Sequence, residues 1–172
     1  MLKIIGGLLI IIGATGMGVT YRQEMKDRLY NTKCLHSILE LLESEIGYSK
    51  ASLPEACGMI ASRMNVPYST SLYKVREMMK LNAGLTFSFV WKQEMGRCLE
   101  KVLIGNREKE VFLNFPEAGS YADNMMQLKT LDKCKKELQH AVNKQEEKME
   151  SKSKVVMSMG LIGGLFLTIA LL

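Results

Sequence analysis

The sequence predicts an all-α protein, in which a six-helix cytoplasmic bundle has long first and last helices that continue into two transmembrane helices. Three observations support this fold class. Residues 4–19 and 155–172 contain no charged side chain, so both ends of the chain are apolar. Only six of the 14 glycines lie between the two ends. Apolar residues there recur at intervals of three and four, which is the period of a helix.

The two apolar ends have the length of membrane spans. A bilayer core needs roughly 17–25 apolar residues in a helix, and residues 155–172 supply 18. Residues 1–20 are interpreted as the first span, with Lys3 near enough to its end to reach the headgroups. A cleaved signal peptide is the alternative for this segment. No convincing cleavage site follows it, so we expect an uncleaved anchor.

Charges beside the spans predict which side of the membrane the middle of the chain occupies. Basic residues flank both spans on their inner sides: Arg22, Lys26, Arg28 and Lys33 after the first, and Lys144, Lys148, Lys152 and Lys154 before the second. The positive-inside rule therefore predicts a cytoplasmic domain over residues 21–154. Elsewhere basic and acidic residues alternate, which is typical of solvated helix faces, so no nucleic acid is expected as a partner.

Helix signals divide the middle of the chain. The first helix is expected to run from the first span to about Gly47, because no glycine or proline interrupts it before that residue. The second is expected over about 52–64, where Ser52 and Glu55 form a capping box and Pro54 occupies the first turn. The remaining helices are expected over about 70–81, 88–103 and 107–115, and from about 120 into the second span.

Two further features of these helices yield specific expectations. One face of the first helix is apolar and is predicted to pack into the bundle; its residues are Leu35, Ile38, Leu42 and Ile46. Pro116 is expected to end the fifth helix at about Phe115, since proline cannot donate the hydrogen bond that continues a helix.

The sequence contains no pattern typical of a catalytic, cofactor-binding or metal-binding site. His36 and His140 lie about a hundred residues apart, and the four cysteines form no Cys-x-x-Cys pair. The glycine-rich segment 13–18 lacks the spacing of a dinucleotide loop, and no phosphate-binding Gly-Lys-Ser/Thr motif occurs. We therefore predict a protein that is not an enzyme and needs no cofactor.

Small residues within the two spans are candidates for helix packing. Ala14 and Gly18 in the first, and Gly160 and Gly164 in the second, have the small-x-x-x-small spacing that allows close helix contact. Contact between the spans, or between copies of the chain, is one interpretation. Simple tolerance of glycine in a membrane helix is the other.

Acidic residues near the end of the first helix are candidates for binding a partner. Glu40, Glu43 and Glu45 cluster there, and Glu55 follows just after the turn. They form either an exposed acidic face or a docking patch for a basic cytoplasmic partner.

The order of these features resembles a known family. Residues 41–48 (LLESEIGY) and 53–56 (LPEA) resemble the "LLETEI–Y–LPEA" signature of stage III sporulation protein AB. The start (LKIIG, residues 2–6) and the end (GLIGGL, residues 160–165) are similar as well, and the resemblance covers the whole chain.

The resemblance implies a function. These proteins belong to a transenvelope channel complex that links mother cell and forespore, which implies a place in the mother-cell membrane around the forespore. Their cytoplasmic part is similar to the helical domain of inner-membrane platform proteins in type II secretion and type IV pilus machines. The implied partners are a cytoplasmic secretion-type ATPase (stage III sporulation protein AA), other membrane proteins of the complex and the lipid bilayer. At matching positions the resemblance marks Glu43, Glu45, Pro54 and Glu55, with Glu43 and Glu45 the better candidates to face a partner.

The function expected from both lines of reasoning is a membrane-anchored platform or adaptor that couples the ATPase to the membrane machinery. The alternative is a two-span pore or signalling protein, supported only by Thr15, Ser158 and Thr168 within the spans. A membrane-bound enzyme is a third possibility, without any nucleophile and base to support it.

Overall fold

Every regular element in the described part of the chain is an α-helix. The structure, a computed structural model, describes the backbone of residues 2–81, 84–118 and 124–171, with side chains over 20–81, 84–117 and 125–151. The six helices are α1 (Leu2–Tyr48), α2 (Leu53–Ala61), α3 (Tyr68–Leu81), α4 (Phe87–Leu99), α5 (Asn106–Ala118) and α6 (Asn124–Leu171). The all-α, six-helix prediction is confirmed, with long first and last helices.

The predicted membrane spans concern side chains outside the described part. The backbone is helical from Leu2 and up to Leu171, but the side chains of residues 1–19 and 152–172 are not described, and these include Ala14, Gly18, Gly160 and Gly164. Among the side chains that are described, no helix contains a stretch long and apolar enough to cross a bilayer. The spans and their packing residues stay predictions.

The long helices α1 and α6 pack against each other in antiparallel directions. Glu43 pairs with Lys135, and Lys33 pairs with Glu146, so residue numbers rise along one helix as they fall along the other. Both helices carry buried apolar residues: Leu35, Ile38, Leu39, Leu42 and Ile46 on α1, and Leu131, Leu138 and Val142 on α6. The predicted apolar face of the first helix is thereby confirmed. Each fully buried Leu or Ile contributes about 1.5–3 kcal/mol.

Helix α2, the first helix of the α2–α3 hairpin, begins as predicted but ends before the predicted residue. Glu55 Oε2 accepts hydrogen bonds from Ser52 N at 3.1 Å and Ser52 Oγ at 2.8 Å, which is the acidic half of the capping box. The prediction that this helix reaches residue 64 is wrong, because α2 ends at Ala61. Backbone bonds three residues apart, from Arg63 N to the Ile60 carbonyl at 2.9 Å, tighten the chain there into a turn.

Two other helix boundaries also differ from the predictions. Helix α3 begins at Tyr68, two residues before the predicted start. Helix α4 ends at Leu99, four residues before the predicted end. Lys101 N donates to the Cys98 carbonyl at 3.1 Å, a three-residue spacing that closes the last turn.

The predicted end of the fifth helix is wrong for a reason that involves another helix. Pro116 lies inside α5, which continues to Ala118. Proline has no N–H for the carbonyl four residues earlier, which belongs to Phe112. The indole Nε1 of Trp91 in α4 donates to that carbonyl at 3.0 Å. The Phe112 carbonyl therefore keeps a partner inside the core, and the helix passes through the proline.

Trp91 also organises the aromatic part of the core. Its ring lies 5.7 Å from Phe87, 5.0 Å from Phe112 and 4.9 Å from Phe115, the last in an edge-to-face arrangement. Trp91 and Phe112 are fully buried. Pairs with this geometry contribute about 0.5–1.5 kcal/mol beyond the area they bury, so the cluster joins α4 firmly to α5.

Candidate functional site

Polar contacts join the two long helices to the four helices that lie between them in the sequence. We call α2–α5 the head, and the set of polar contacts that join it to α1 and α6 the junction. At the centre, Gln145 Nε2 of α6 donates to Thr32 Oγ1 of α1 at 3.2 Å and to Glu108 Oε1 of α5 at 3.1 Å. Thr32 is fully buried and its hydroxyl donates to the Arg28 carbonyl at 2.9 Å. One amide side chain thus holds three helices together.

A second set of bonds joins α1 to α3 and to the connection before α5. The Tyr68 hydroxyl donates to Asn31 Oδ1 at 3.0 Å, and Asn31 Nδ2 donates to the Leu103 carbonyl at 2.9 Å. Burial raises the pKa of Tyr68, so its hydroxyl stays protonated and can donate. Buried polar groups are costly unless they are paired, so these bonds specify one arrangement of the junction.

Two ion pairs lie along the contact between α1 and α6. Lys33 Nζ lies 2.6 Å from Glu146 Oε1, with both side chains about half exposed. The pair of Glu43 with Lys135 lies 10 residues later in α1 and 11 residues earlier in α6, and its side chains are more shielded from solvent. The hydrogen bond from Lys135 to Glu43 raises the pKa of the lysine. Exposed pairs contribute only about 0–1 kcal/mol each, so the pairs serve mainly to fix the register of α1 against α6.

Of the three acidic residues that the family signature marks, two pair with bases from other helices or turns of the chain. Glu43 pairs with Lys135 of α6. Glu45 is buried; it accepts from Ser49 Oγ at 2.9 Å and lies 3.3 Å from Arg63 Nη2. Each of these carboxylates therefore has a structural role in the bundle.

The third candidate, Glu55, is exposed and caps its own helix through its hydrogen bonds with Ser52. These bonds lower the pKa of Glu55, so it stays ionised in mild acid. Glu40, in the same acidic stretch as Glu43 and Glu45, is exposed and has no ion pair within the described residues. Binding of a partner through Glu43, Glu45 or Glu55 stays a prediction, and Glu40 is a nearby exposed carboxylate that could also take part.

The described side chains offer little for metal binding or nucleophilic catalysis. No group of three or more His, Cys, Asp or Glu residues among them is placed to hold a metal ion. The four cysteines Cys34, Cys57, Cys98 and Cys134 are free thiols. Burial raises the pKa of each, which keeps the thiols protonated and weakly nucleophilic.

Comparison with known protein families identifies the bundle. A family model described as Stage III sporulation protein AB (spore_III_AB) matches residues 3–172. The chain belongs to the stage III sporulation protein AB family. Family membership assigns it to sporulation, as the LLESEIGY and LPEA segments predicted.

One relative matches this chain over its whole length, and one solved structure matches its fold. Stage III sporulation protein AB of Bacillus subtilis (strain 168) is 24% identical over 172 residues, which is 100% of both chains. A solved structure of stage III sporulation protein AB (SpoIIIAB) matches with a TM-score of 0.65 and 22% identity, over 72% of this chain and 97% of that chain. At this identity the likeness to the solved structure shows the fold, a helical bundle.

Little in the sequence indicates the junction of this family member. Asn31 and Thr32 are polar residues inside a long helix. In the sequence they look like the solvated positions beside them, and only the structure shows that they are buried. Gln145 follows Leu138 and Ala141 at intervals of three and four residues, which is a weak signal that it faces inward. Its partners are 37 and 113 residues away in the sequence, so no local pattern connects them.

Proposed function

We propose that this member of the stage III sporulation protein AB family is a membrane-anchored, non-enzymatic platform or adaptor in a sporulation transenvelope channel complex. In this role it couples a cytoplasmic secretion-type ATPase, stage III sporulation protein AA, to other membrane proteins of the complex. It would occupy the mother-cell membrane around the forespore, with residues 21–154 in the cytoplasm.

The observation that supports the proposal most strongly is the junction. On α1 its contacts run from Asn31, which bonds to Tyr68, to Glu45, which pairs with Arg63, about 21 Å at 1.5 Å per residue. On α6, Gln145 bonds to Glu108 of the head. The head is thus attached to both long helices, which lead to the two apolar ends. A displacement imposed on the head is therefore carried by both helices together rather than absorbed at a flexible linker.

The alternative function of a two-span pore or signalling protein depends on different residues. Its support consists of Thr15, Ser158 and Thr168, whose side chains lie outside the described part of the chain. The coupling step of the platform proposal instead depends on the junction, whose contacts are described.

A binding experiment with the ATPase tests the platform function. The full-length chain is reconstituted in lipid nanodiscs and titrated with purified stage III sporulation protein AA, with binding followed by biolayer interferometry. We expect saturable binding. Absence of binding by the unmodified chain would overturn the proposed coupling to this ATPase.

A charge-swap series then separates partner recognition from bundle stability. Glu43→Lys places two cations together and is expected to weaken both the fold and ATPase binding; the double variant Glu43→Lys with Lys135→Glu restores the ion pair. If the ATPase contacts the Glu43 carboxylate, the double variant recovers its stability but not its binding. Recovery of both would show that Glu43 acts through the bundle alone. Glu40→Lys is the matched variant, since it reverses an exposed charge without breaking an ion pair.

A further inference from the structure

A groove with a basic rim runs along α6 beside the start of α5 and the part of α1 nearest the first apolar end. Its volume is about 1080 Å³. Half-buried side chains of Met25, Glu108, Ala141 and Gln145 line it. Five exposed side chains, which we call the rim cations, surround it: Arg28, Arg107, Lys133, Lys144 and Lys148.

The basic charge of the groove is not neutralised from within. Three acids line it along with six lysines and arginines, an excess of three positive charges. Asp132 is held by Lys136 at 2.6 Å, and Glu108 accepts from Gln145, so two of the three acids are already engaged. Glu137 is the third. The rim cations form no ion pair within the described residues.

The length of the groove indicates what kind of anion fits it. From Lys133 to Lys148 the helix rises about 22 Å, which is about four helical turns. The exposed cations of the groove on α6 lie on one side of that helix in two pairs eight residues apart, Lys133 with Lys136 and Lys144 with Lys148. A partner helix of about 15 residues, with carboxylates repeated every three or four positions, would place carboxylates opposite both pairs.

A bilayer surface fits the groove less well than a protein does. Lys133 lies 22 residues before the predicted second span, about 33 Å along the helix. Screening by physiological salt limits electrostatic attraction to about 8 Å. Lipid headgroups would therefore reach the end of the groove near Lys148 and leave the half near Lys133 unoccupied.

We propose that the groove between α1, α5 and α6 is a docking surface for an acidic helical segment of a partner protein. The inference goes beyond the proposed coupling to an ATPase, because Glu43, Glu45 and Glu55 do not line the groove and the proposal leaves open which protein supplies the segment. The two proposals can fail separately, since one is tested with the ATPase and the other with a peptide.

The test uses a fluorescently labelled, Glu- and Ala-rich helical peptide of about 15 residues. It is titrated with the full-length chain in zwitterionic nanodiscs, and binding is followed by fluorescence anisotropy. We expect saturable binding that weakens as salt is raised. Lys144→Glu with Lys148→Glu is expected to weaken it about tenfold, because each reversal removes one attraction and adds one repulsion of surface-pair size.

Matched controls decide whether the groove itself is responsible. Lys74→Glu with Lys129→Glu changes the net charge by the same amount at exposed positions outside the groove and is expected to leave the affinity nearly unchanged. Equal weakening by both pairs would overturn the proposal in favour of non-specific charge attraction. So would a lack of peptide binding by the unmodified chain, or complete displacement of the peptide by anionic lipid in the nanodisc. Circular dichroism checks that each variant retains its helices.

Discussion

The carbonyl of Phe112 couples Pro116 in α5 to Trp91 in α4, and a double-mutant cycle can measure that coupling. In the unmodified chain the indole N–H of Trp91 donates to this carbonyl, and residue 116 supplies no amide hydrogen. The cycle consists of Trp91→Phe, Pro116→Ala and the two changes together. Pro116→Ala restores the backbone N–H that normally bonds to the carbonyl four residues earlier.

The structure sets the size of the expected effect. With Pro116 present, Trp91→Phe loses ring volume and also leaves the buried Phe112 carbonyl without its donor, a loss of about 1–3 kcal/mol for the unpaired group alone. With alanine at position 116, the new amide supplies a donor and only the ring volume is lost. We therefore expect Trp91→Phe to be about 1–2 kcal/mol less destabilising in the Pro116→Ala background than beside the native proline.

The assay is urea unfolding of the full-length chain, followed by far-ultraviolet circular dichroism because two of the variants lack the chain's single tryptophan. Phe87→Leu is the matched control: it also removes an aromatic neighbour in the Trp91 cluster but leaves the hydrogen bond intact. Its effect should be the same with proline or alanine at position 116. If Trp91→Phe is also additive with Pro116→Ala, the Trp91 donor is not what allows the helix to continue through the proline.

Two further predictions concern stability. Gly96→Ala should raise the unfolding free energy by roughly 0.5–1 kcal/mol, because an added Cβ meets nothing within 4 Å there. Gly58→Ala should give no such gain, because its Cβ would collide with the Arg76 side chain. Urea unfolding of both variants measures the difference, and equal gains would contradict the prediction. Burial raises the pKa of Cys57, so from about pH 9 upward the unfolded thiol ionises while the folded one stays protonated, and stability should fall with rising pH. Cys57→Ala should reduce that alkaline loss, and an unchanged pH profile of the unfolding free energy would argue against the assignment.

Local rules predicted the parts of the fold that depend on neighbours in the sequence. The helical period identified the buried face of α1, and Ser52 with Glu55 identified the start of α2, because both signals lie within a few residues of the structure they specify. The residue at which α5 ends could not be predicted from its neighbours in the sequence. What stabilises the helix beyond Pro116 is a donor in α4, 21 residues from the carbonyl that accepts it.

The same distinction applies to the candidate site. Clustering along the sequence identified Glu43 and Glu45 as acidic candidates, but it could not reveal that Lys135 and Arg63 neutralise them, since these bases come from other parts of the chain. The family signature predicted the family correctly, because it depends on the order of short segments and needs no knowledge of contacts. The roles of the acidic residues in that signature, by contrast, depend on tertiary contacts.

The pairing of α1 with α6 has a consequence for how the chain is made. Thr32 and Gln145 are 113 residues apart, so the groups that close the bundle are synthesised far apart in time. At about 5–20 residues per second, roughly 6–23 s separate them on the ribosome. During that interval the apolar face of α1 has been synthesised without its final partner. Closure of the bundle is therefore a late, long-range step, and the buried face of α1 lacks its α6 partner until α6 has been synthesised.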